Sequence, residues 1–244
     1  MGLVSHLKEG LVDLLFPGPS TCPICGQDLY KGRDVPCPPC RRRVQRVVAP
    51  FCPRCGKPLT LGEYCPHCGG RGLPFLQARA AGLYQGVLRR AIHLFKFKGA
   101  MDLLPYLEQL LLDCLEKYPL PGVDVLIPVP LHAGRERERG FNQAALLAAG
   151  LGRHLQLPVD YRSLIRRWNT PPTSGLSRQE RVETLWDAFS CRGRRLRGRH
   201  VLLIDDILTT GSTAAGCSTA LLKGGAAGVY VLTVATVPAP APWP

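Results

Sequence analysis

Nowhere in its 244 residues does this chain carry a run of 18 or more apolar residues. A helix needs about that many to cross a bilayer, so an integral membrane protein is not expected. Aromatic residues are few: three Trp, seven Tyr and seven Phe. That leaves little material for stacking platforms. Acid is scarce too, with 18 Asp and Glu against 31 Lys and Arg, a formal net charge of +13. Lysine supplies only 7 of those 31, so the basic excess is arginine. Residues 1–16, MGLVSHLKEGLVDLLF, lack the unbroken apolar core of a secretory signal, because Lys8, Glu9 and Asp13 interrupt it. Leu3, Leu7, Leu11, Leu14 and Leu15 recur at helical spacing instead and predict a short amphipathic helix docked on its own protein. With no export signal, a reducing cytoplasm is the expected compartment, and disulfides are a poor account of the cysteines.

What is present is close to ordinary globular usage, 45% hydrophobic and 20% charged, so general disorder is excluded. Arginine's planar fork grips phosphate and carboxylate bidentately, although a GC-rich genome produces the same bias. Eleven cysteines are many for this length, and eight of them lie in residues 17–72 as four Cys-x-x-Cys pairs. These are Cys22/Cys25, Cys37/Cys40, Cys52/Cys55 and Cys65/Cys68. The segment is rich in Pro and Gly and poor in aliphatic runs, so it cannot be held together by a hydrophobic core alone. Two Cys at this spacing present two thiolates from one tight turn to a tetrahedral ion, and a second pair completes the site. Gly26, Gly56 and Gly69 each follow a second Cys, where such turns favour positive φ. One or two structural zinc ions are therefore expected; an iron–sulfur cluster is the rival. Sequential pairing makes two ribbon-like sites and interleaved pairing makes another arrangement. Cys114, Cys191 and Cys217 stand alone and read as small core residues.

Residues 76–238 change character. Strand-like segments at 80–85, 123–130, 200–206 and 228–236 alternate with helix-like ones at 87–97, 102–117, 141–155 and 212–223. Buried strands alternating with helices predict an α/β domain with a mostly parallel sheet. Residues 239–244 form a Pro-rich tail. The expected organisation is thus an N-terminal helix (1–16), a double zinc ribbon (17–72), one α/β domain (76–238) and a tail (239–244).

The sharpest motif is VLLIDDILTTGSTAAG, residues 201–216. A hydrophobic strand ends in Asp205 and Asp206, followed by Thr209, Thr210, Gly211, Ser212 and Thr213 and then a helix. In a parallel sheet, ligands bind beyond the carboxyl ends of the strands. Backbone N–H groups, hydroxyls and the helix N-terminus can together wrap one phosphate. Paired acids beside such a loop repel an anion unless they face hydroxyls or a divalent cation, and a ribose diol with Mg²⁺ meets both conditions. A second motif, IPVPLHAGRERERGFNQAA (residues 127–145), puts His132, Arg135, Arg137 and Arg139 in a loop between a strand and a helix. That is an anion-site position, plausible for pyrophosphate; the competing reading is a solvated helical turn with internal Arg–Glu pairs.

The first motif resembles the signature of type I phosphoribosyltransferases, which bind 5-phosphoribosyl-1-pyrophosphate. The resemblance implies that Asp205 and Asp206 act on the ribose hydroxyls, as the catalytic pair, and that residues 209–213 hold the 5′-phosphate. PVPLH-x-x-R-x-x-x-RGFNQA closely resembles the ComF family, which joins a Cys-rich double zinc ribbon to this transferase fold. It covers nearly the whole chain. Shared elements add His132, Arg135 and Arg139 to the pyrophosphate side and KFKG, with Lys96 and Lys98, as further phosphate contacts or surface charge. Residues 164–189 resemble the family's flexible active-site loop and carry Arg166 and Arg181. Thr173 and Thr184 depart from the family's usual Gln and Asn there, so the catalytic carry-over is weakest in this stretch.

The family implies a role in competence, DNA uptake and natural transformation, with phosphoribosyl pyrophosphate or a 5′-phosphorylated single-stranded DNA end in a Mg²⁺-containing pocket. Two alternatives are kept. One is a Mg²⁺-dependent phosphoribosyltransferase of nucleotide metabolism with an unidentified acceptor. The other is an adaptor whose zinc ribbon recruits a competence helicase or channel partner. The N-terminal Cys nucleophile of a glutamine amidotransferase is missing, so ammonia release from glutamine is not expected. Charge distribution favours an anionic ligand. Residues 133–199 hold 14 Arg against 6 acids, while residues 1–75 fall close to neutral once two zinc ions bind eight thiolates.

Overall fold

The computed structural model describes residues 21–29, 35–60, 62–65, 68, 72–167, 188–193 and 195–238. The expected N-terminal helix (1–16) and the Pro-rich tail (239–244) lie outside them.

Four apolar segments pair side by side as β1 (Gln77–Leu83), β2 (Val125–Pro128), β5 (His200–Leu208) and β6 (Gly228–Thr236). All run parallel, in the order β1-β6-β5-β2. Every residue of β6 is buried, which is what a strand with helices on both faces requires. The predicted α/β class with a parallel sheet is what forms. β1 begins three residues earlier than expected. β2 stops at Pro128, since Pro128 and Pro130 have no N–H for the ladder.

Alternation along each strand sends successive side chains to opposite faces. On one face, Leu126, Leu202, Ile204 and Leu232 pack with α2 (Gly86–Lys98), α3 (Leu104–Lys117) and α5 (Gln143–Leu155). On the other, Val125, Leu203 and Val231 pack with α6 (Ser212–Lys223) and a two-stranded ribbon of β3 (Leu164–Arg166) and β4 (Phe189–Cys191). β3 and β4 are antiparallel partners that close the two ends of the expected flexible loop, while residues 168–187 between them lie outside the described residues. The segment predicted as one helix over 102–117 starts as a 3₁₀ turn (Met101–Leu103) and becomes α3 with Pro105 in its first turn, where its missing N–H costs nothing.

One expected loop is a helix. The arginine-rich segment forms α4 (Ala133–Arg139), with His132 Nδ1 accepting the Gly134 N–H at 3.1 Å. The Arg–Glu pairs of the competing reading do not form: among the described residues no salt bridge lies within α4. Its charges stay available to a ligand.

Both sheet edges are covered. Residues 45–47 run against β1, with Leu83 N–H donating to Gln45 O (2.8 Å) and Val47 N–H to Ala81 O (3.1 Å). The turn after α5 shields β2, where Leu126 N–H donates to Pro158 O and Asp160 N–H to Leu126 O, each at 2.9 Å. Covered edges leave no open ladder for a stray strand.

Candidate functional site

The cysteine-rich segment builds two knuckles with one local plan. In the first, Gly26 N–H donates to Cys22 O and Cys22 N–H to Gln27 O, both at 2.8 Å. In the second, Gly56 N–H donates to Cys52 O (2.9 Å) and Cys52 N–H to Lys57 O (2.8 Å). The second pair of the first site rides on the short helix α1 (Pro38–Arg42). The pairing is sequential: Cys22, Cys25, Cys37 and Cys40 form one cluster and Cys52, Cys55, Cys65 and Cys68 the other, with the sulfurs of each within 4.8 Å of one another. Sγ–Sγ distances are 3.6 Å for Cys25–Cys37 and 3.4 Å for Cys55–Cys65. Tetrahedral Zn–S bonds of about 2.3 Å place sulfurs about 3.8 Å apart, so both cages fit the ion.

The titration of the thiols also calls for a cation. Burial alone raises Cys22 and Cys52, but backbone N–H groups outweigh it and bring each to about 7. Burial pushes Cys68 up to about 12, and raises Cys40 and Cys55 further, with neighbouring thiolates adding to the effect in Cys40 and Cys55. A dication at the centre removes that conflict by letting all four ionise. These are two structural zinc sites, each made of four thiolates.

The ribbons are anchored to the sheet layer. Ala91 of α2 and Leu103 share a buried cluster with Cys22, Ile24, Cys37 and Cys40. Ala78 of β1 donates its N–H to Arg54 O at 2.7 Å. At Gly56 (φ +69) a Cβ would sit 2.6 Å from Ala78 O, so the knuckle and β1 touch backbone to backbone. Lys57 is 2% exposed; its Nζ donates to Val237 O at 2.7 Å and faces the charge of Cys55, Cys65 and Cys68. Val237 N–H in turn donates to Leu208 O (3.3 Å), as does Thr236 Oγ1 (2.9 Å), at the root of the 209–213 loop.

That loop opens at the carboxyl end of β5. Gly211 (φ +83) makes the turn and serves as the N-cap of α6 with no capping side chain of its own, while Thr210 Oγ1 accepts the Ser212 N–H at 3.4 Å. Thr210 Oγ1 and Ser212 Oγ lie 2.9 Å apart, and Thr209 and Thr210 are exposed. Thr213 stands in the first turn of α6, half-buried.

Asp205 and Asp206 are consecutive on β5, with carboxyls near enough to act on each other. Asp206 is 7% exposed, with Lys96 Nζ 2.6 Å from its Oδ2 in an ionic contact between β5 and the end of α2. Asp205 is partly buried, and its Oδ1 accepts the Asp206 N–H at 2.8 Å. Burial first, then the Asp206 charge, raise the Asp205 carboxyl to about 8, against the pull of Lys96.

The arginines do converge. Burial lowers Arg139 and Arg166, while the Asp206 charge supports Arg139 and the Asp205 charge supports Arg166. The charge of Arg135 acts on both. Arg139 Nη1 donates to Gln143 Oε1 at 2.7 Å, and its guanidinium lies 5.1 Å from the centroid of the Phe97 ring. A cleft of about 880 Å³ is lined by Lys96, Lys98, Arg135, Arg139, Phe97 and Phe141, among others. His132 caps α4 through Nδ1 and does not line this cleft. Arg181 lies outside the described residues.

Two participants escape a reading of the sequence. Phe97, 58% exposed, sits between the two lysines of KFKG, off the buried stripe of Leu88, Ala91, Ile92 and Phe95. That break in periodicity is the signal that could have marked it. Lys57 had no comparable signal, because its partner Val237 is 180 residues away.

Comparison with known proteins adds the following. Residues 11–69 match the double zinc ribbon domain. The chain is 33% identical to the DNA utilization protein YhgH of Escherichia coli over 218 residues, covering 87% of this chain and 95% of that one. It is 31% identical to the competence protein ComFC of Bacillus subtilis over 215 residues, 84% and 86% of the two chains. Among solved structures, an adenine phosphoribosyltransferase from Leishmania donovani aligns at 16% identity and a TM-score of 0.38, over 59% of this chain and 56% of that one. No helix among the described residues is long and apolar enough to cross a membrane.

Proposed function

The chain belongs to the ComF family, and from that premise we propose that its cleft binds a phosphoribosyl pyrophosphate or a 5′-phosphorylated nucleic-acid end, in DNA uptake and natural transformation. One observation carries the reading: Asp205 and Asp206 stand near the carboxyl end of β5, Lys96 pairs with Asp206, the acids' charges act on Arg139 and Arg166, and the 209–213 loop follows directly. Acid pairs suit hydroxyls, and guanidinium and ammonium groups suit phosphate oxygens.

Each group has a part. The 209–213 loop and the start of α6 receive the terminal phosphate on N–H and hydroxyl donors. Asp205 and Asp206 orient the ribose diol. Arg135, Arg139, Lys96 and Lys98 neutralise the far phosphates. Mg²⁺ suits the site only as a passenger of the ligand: among the described residues, the two four-cysteine cages are the only clusters of three or more metal-binding side chains. Mg²⁺ commonly takes one or two carboxylates plus substrate phosphates. Asp205, whose carboxyl is raised by burial and by Asp206, is the residue that would hold it; a bound dication would supply charge neutralisation to the pyrophosphate.

The test is calorimetric titration of the zinc-loaded full chain with the sugar pyrophosphate and with a 5′-phosphorylated single strand, each with and without Mg²⁺. Binding should require the 5′-phosphate and weaken at least tenfold in Asp205→Asn/Asp206→Asn, since charge-assisted hydrogen bonds contribute about 1.5–3 kcal/mol each. Unchanged affinity in the double variant refutes the reading.

A further inference from the structure

A second gathering of guanidinium groups lies at the amino ends of the same strands. A cavity of about 430 Å³ opens there between the turn after α5 and the turn before β5. Arg162, Arg195 and Arg199 line it with Tyr161 and Asp160, over a floor that includes Val125 and Leu196. From Arg199 to Asp206 the chain runs seven residues along a strand, about 23 Å at roughly 3.3 Å per residue, so one small ligand cannot occupy both places.

The turns that carry these side chains are held firmly. Leu196 is 2% exposed, Gly198 N–H donates to Gly225 O (2.9 Å) and Ala227 N–H to Arg199 O (2.8 Å). On the facing side, Asp160 Oδ1 accepts from Arg162 N–H (2.8 Å) and Ser163 N–H (3.0 Å), and its Oδ2 accepts from Ser163 Oγ. The one carboxylate in the cavity is therefore committed to its own turn. Among the described residues, none of the three arginines has a carboxylate within ion-pair distance. All three are exposed, and the Tyr161 ring beside them is 53% exposed.

Asp160 feels the charge of Arg195 but pairs with none of the three at contact distance, so three guanidinium groups face one carboxylate already bonded to its own turn. That excess calls for a multivalent anion, and guanidinium forks bind phosphate bidentately. An exposed ring at the rim adds a flat, apolar partner of the kind that a base stacks on. The volume falls in the small-ligand range, too small for a folded partner. We propose that this cavity is a second ligand site, which takes the phosphate of a nucleotide on Arg162, Arg195 and Arg199 with the base against Tyr161. The nucleotide is either free or one residue of a single strand.

The experiment uses the zinc-loaded full chain and four probes: adenosine 5′-monophosphate, adenosine, inorganic phosphate and an unphosphorylated 15-mer of deoxythymidine. Variants are Arg195→Ala/Arg199→Ala, Tyr161→Ala and, for the cleft, Arg135→Ala/Arg139→Ala. Circular dichroism melts check that each variant folds; the positions are on the surface, so folding should be intact. The mononucleotide should bind at a site that survives Arg135→Ala/Arg139→Ala and weakens at least tenfold in Arg195→Ala/Arg199→Ala. Tyr161→Ala should weaken it about tenfold while leaving inorganic phosphate unchanged, as expected from about 1–3 kcal/mol per stacked base. A parallel loss for the 15-mer identifies a strand as the source; a loss confined to the mononucleotide identifies a free nucleotide. If Arg195→Ala/Arg199→Ala alters neither affinity, or if all mononucleotide binding disappears with the cleft arginines, the second site does not exist. The two sets of variants are separate, so failure here leaves the cleft reading standing, and the reverse.

Discussion

Replacing Asp205 with Asn should make the protein more stable and should make the gain grow with pH. In the folded chain the Asp205 carboxyl is raised from an ordinary 3.8 to about 8, by burial and by Asp206. Between those values the folded state holds a proton that the unfolded chain releases, so wild-type stability falls as pH rises through the window. The asparagine variant has no such proton. Each pH unit inside the window is worth at most about 1.4 kcal/mol, so the gap between variant and wild type should widen by at most about 2.7 kcal/mol from pH 6 to pH 8. Asp205 is only partly buried, and solvent and the charge of Lys96 compensate in part. About half the ceiling is then the expected value, or roughly 3–5 °C in relative melting temperature for a chain of this size. Melts of both proteins at half-unit steps from pH 6 to pH 8.5 measure it, in a range where zinc thiolates keep their metal. A gap that stays constant, or narrows as pH rises, refutes the reasoning. The same variant should bind the sugar pyrophosphate more weakly, so stability and ligand affinity move in opposite directions.

Elemental analysis of the purified protein should return two zinc ions per chain; one ion would break the two-cage arrangement. Gly56→Ala should destabilise by more than about 2 kcal/mol, because it adds a clash with Ala78 O to the cost of positive φ. Gly26→Ala, at a similar φ of +76 but facing open space, should cost only about 1–2 kcal/mol. Equal urea midpoints for the two would undo the docking argument. Lys57→Met should cost about 2–3 kcal/mol and hasten zinc release to a chelating dye, since it leaves Val237 O and the Cys55, Cys65 and Cys68 thiolates without their cation. Release at the wild-type rate would show that the lysine is a spectator.

Much of this was readable from residue order. Strict helical spacing made α2, α3 and α5 visible; β6 spans the expected 228–236, while β5 starts where expected and runs two residues past the expected 206, to Leu208. The acid pair and its loop were legible because all the parts lie within nine residues, 205–213. The arginine segment was half legible. A loop is the favoured reading from residue order and a helical turn the competing one; the segment is helical but without the Arg–Glu pairs, and its seven charged and small residues show no apolar stripe that would decide between the two. The mutual influence of Arg135, Arg139 and Arg166 brings together side chains from α4 and β3, about thirty residues apart, which no local pattern encodes. The same holds for the second cavity, whose walls come from turns more than thirty residues apart.

The sheet order has a consequence for how this protein is made. Of the four strands of this sheet β6 is made last, yet it sits between β1 and β5. Until it arrives, β1 and β5 each expose an unpaired inner edge, and the Lys57 anchor to Val237 has nothing to hold. The nascent chain can therefore load its zinc cages early but cannot complete its core during synthesis. A ribosome stalled before residue 228 would release a chain with two open apolar edges, a substrate for chaperones or aggregation rather than a shortened working protein. Contacts this distant in sequence also slow the closing step.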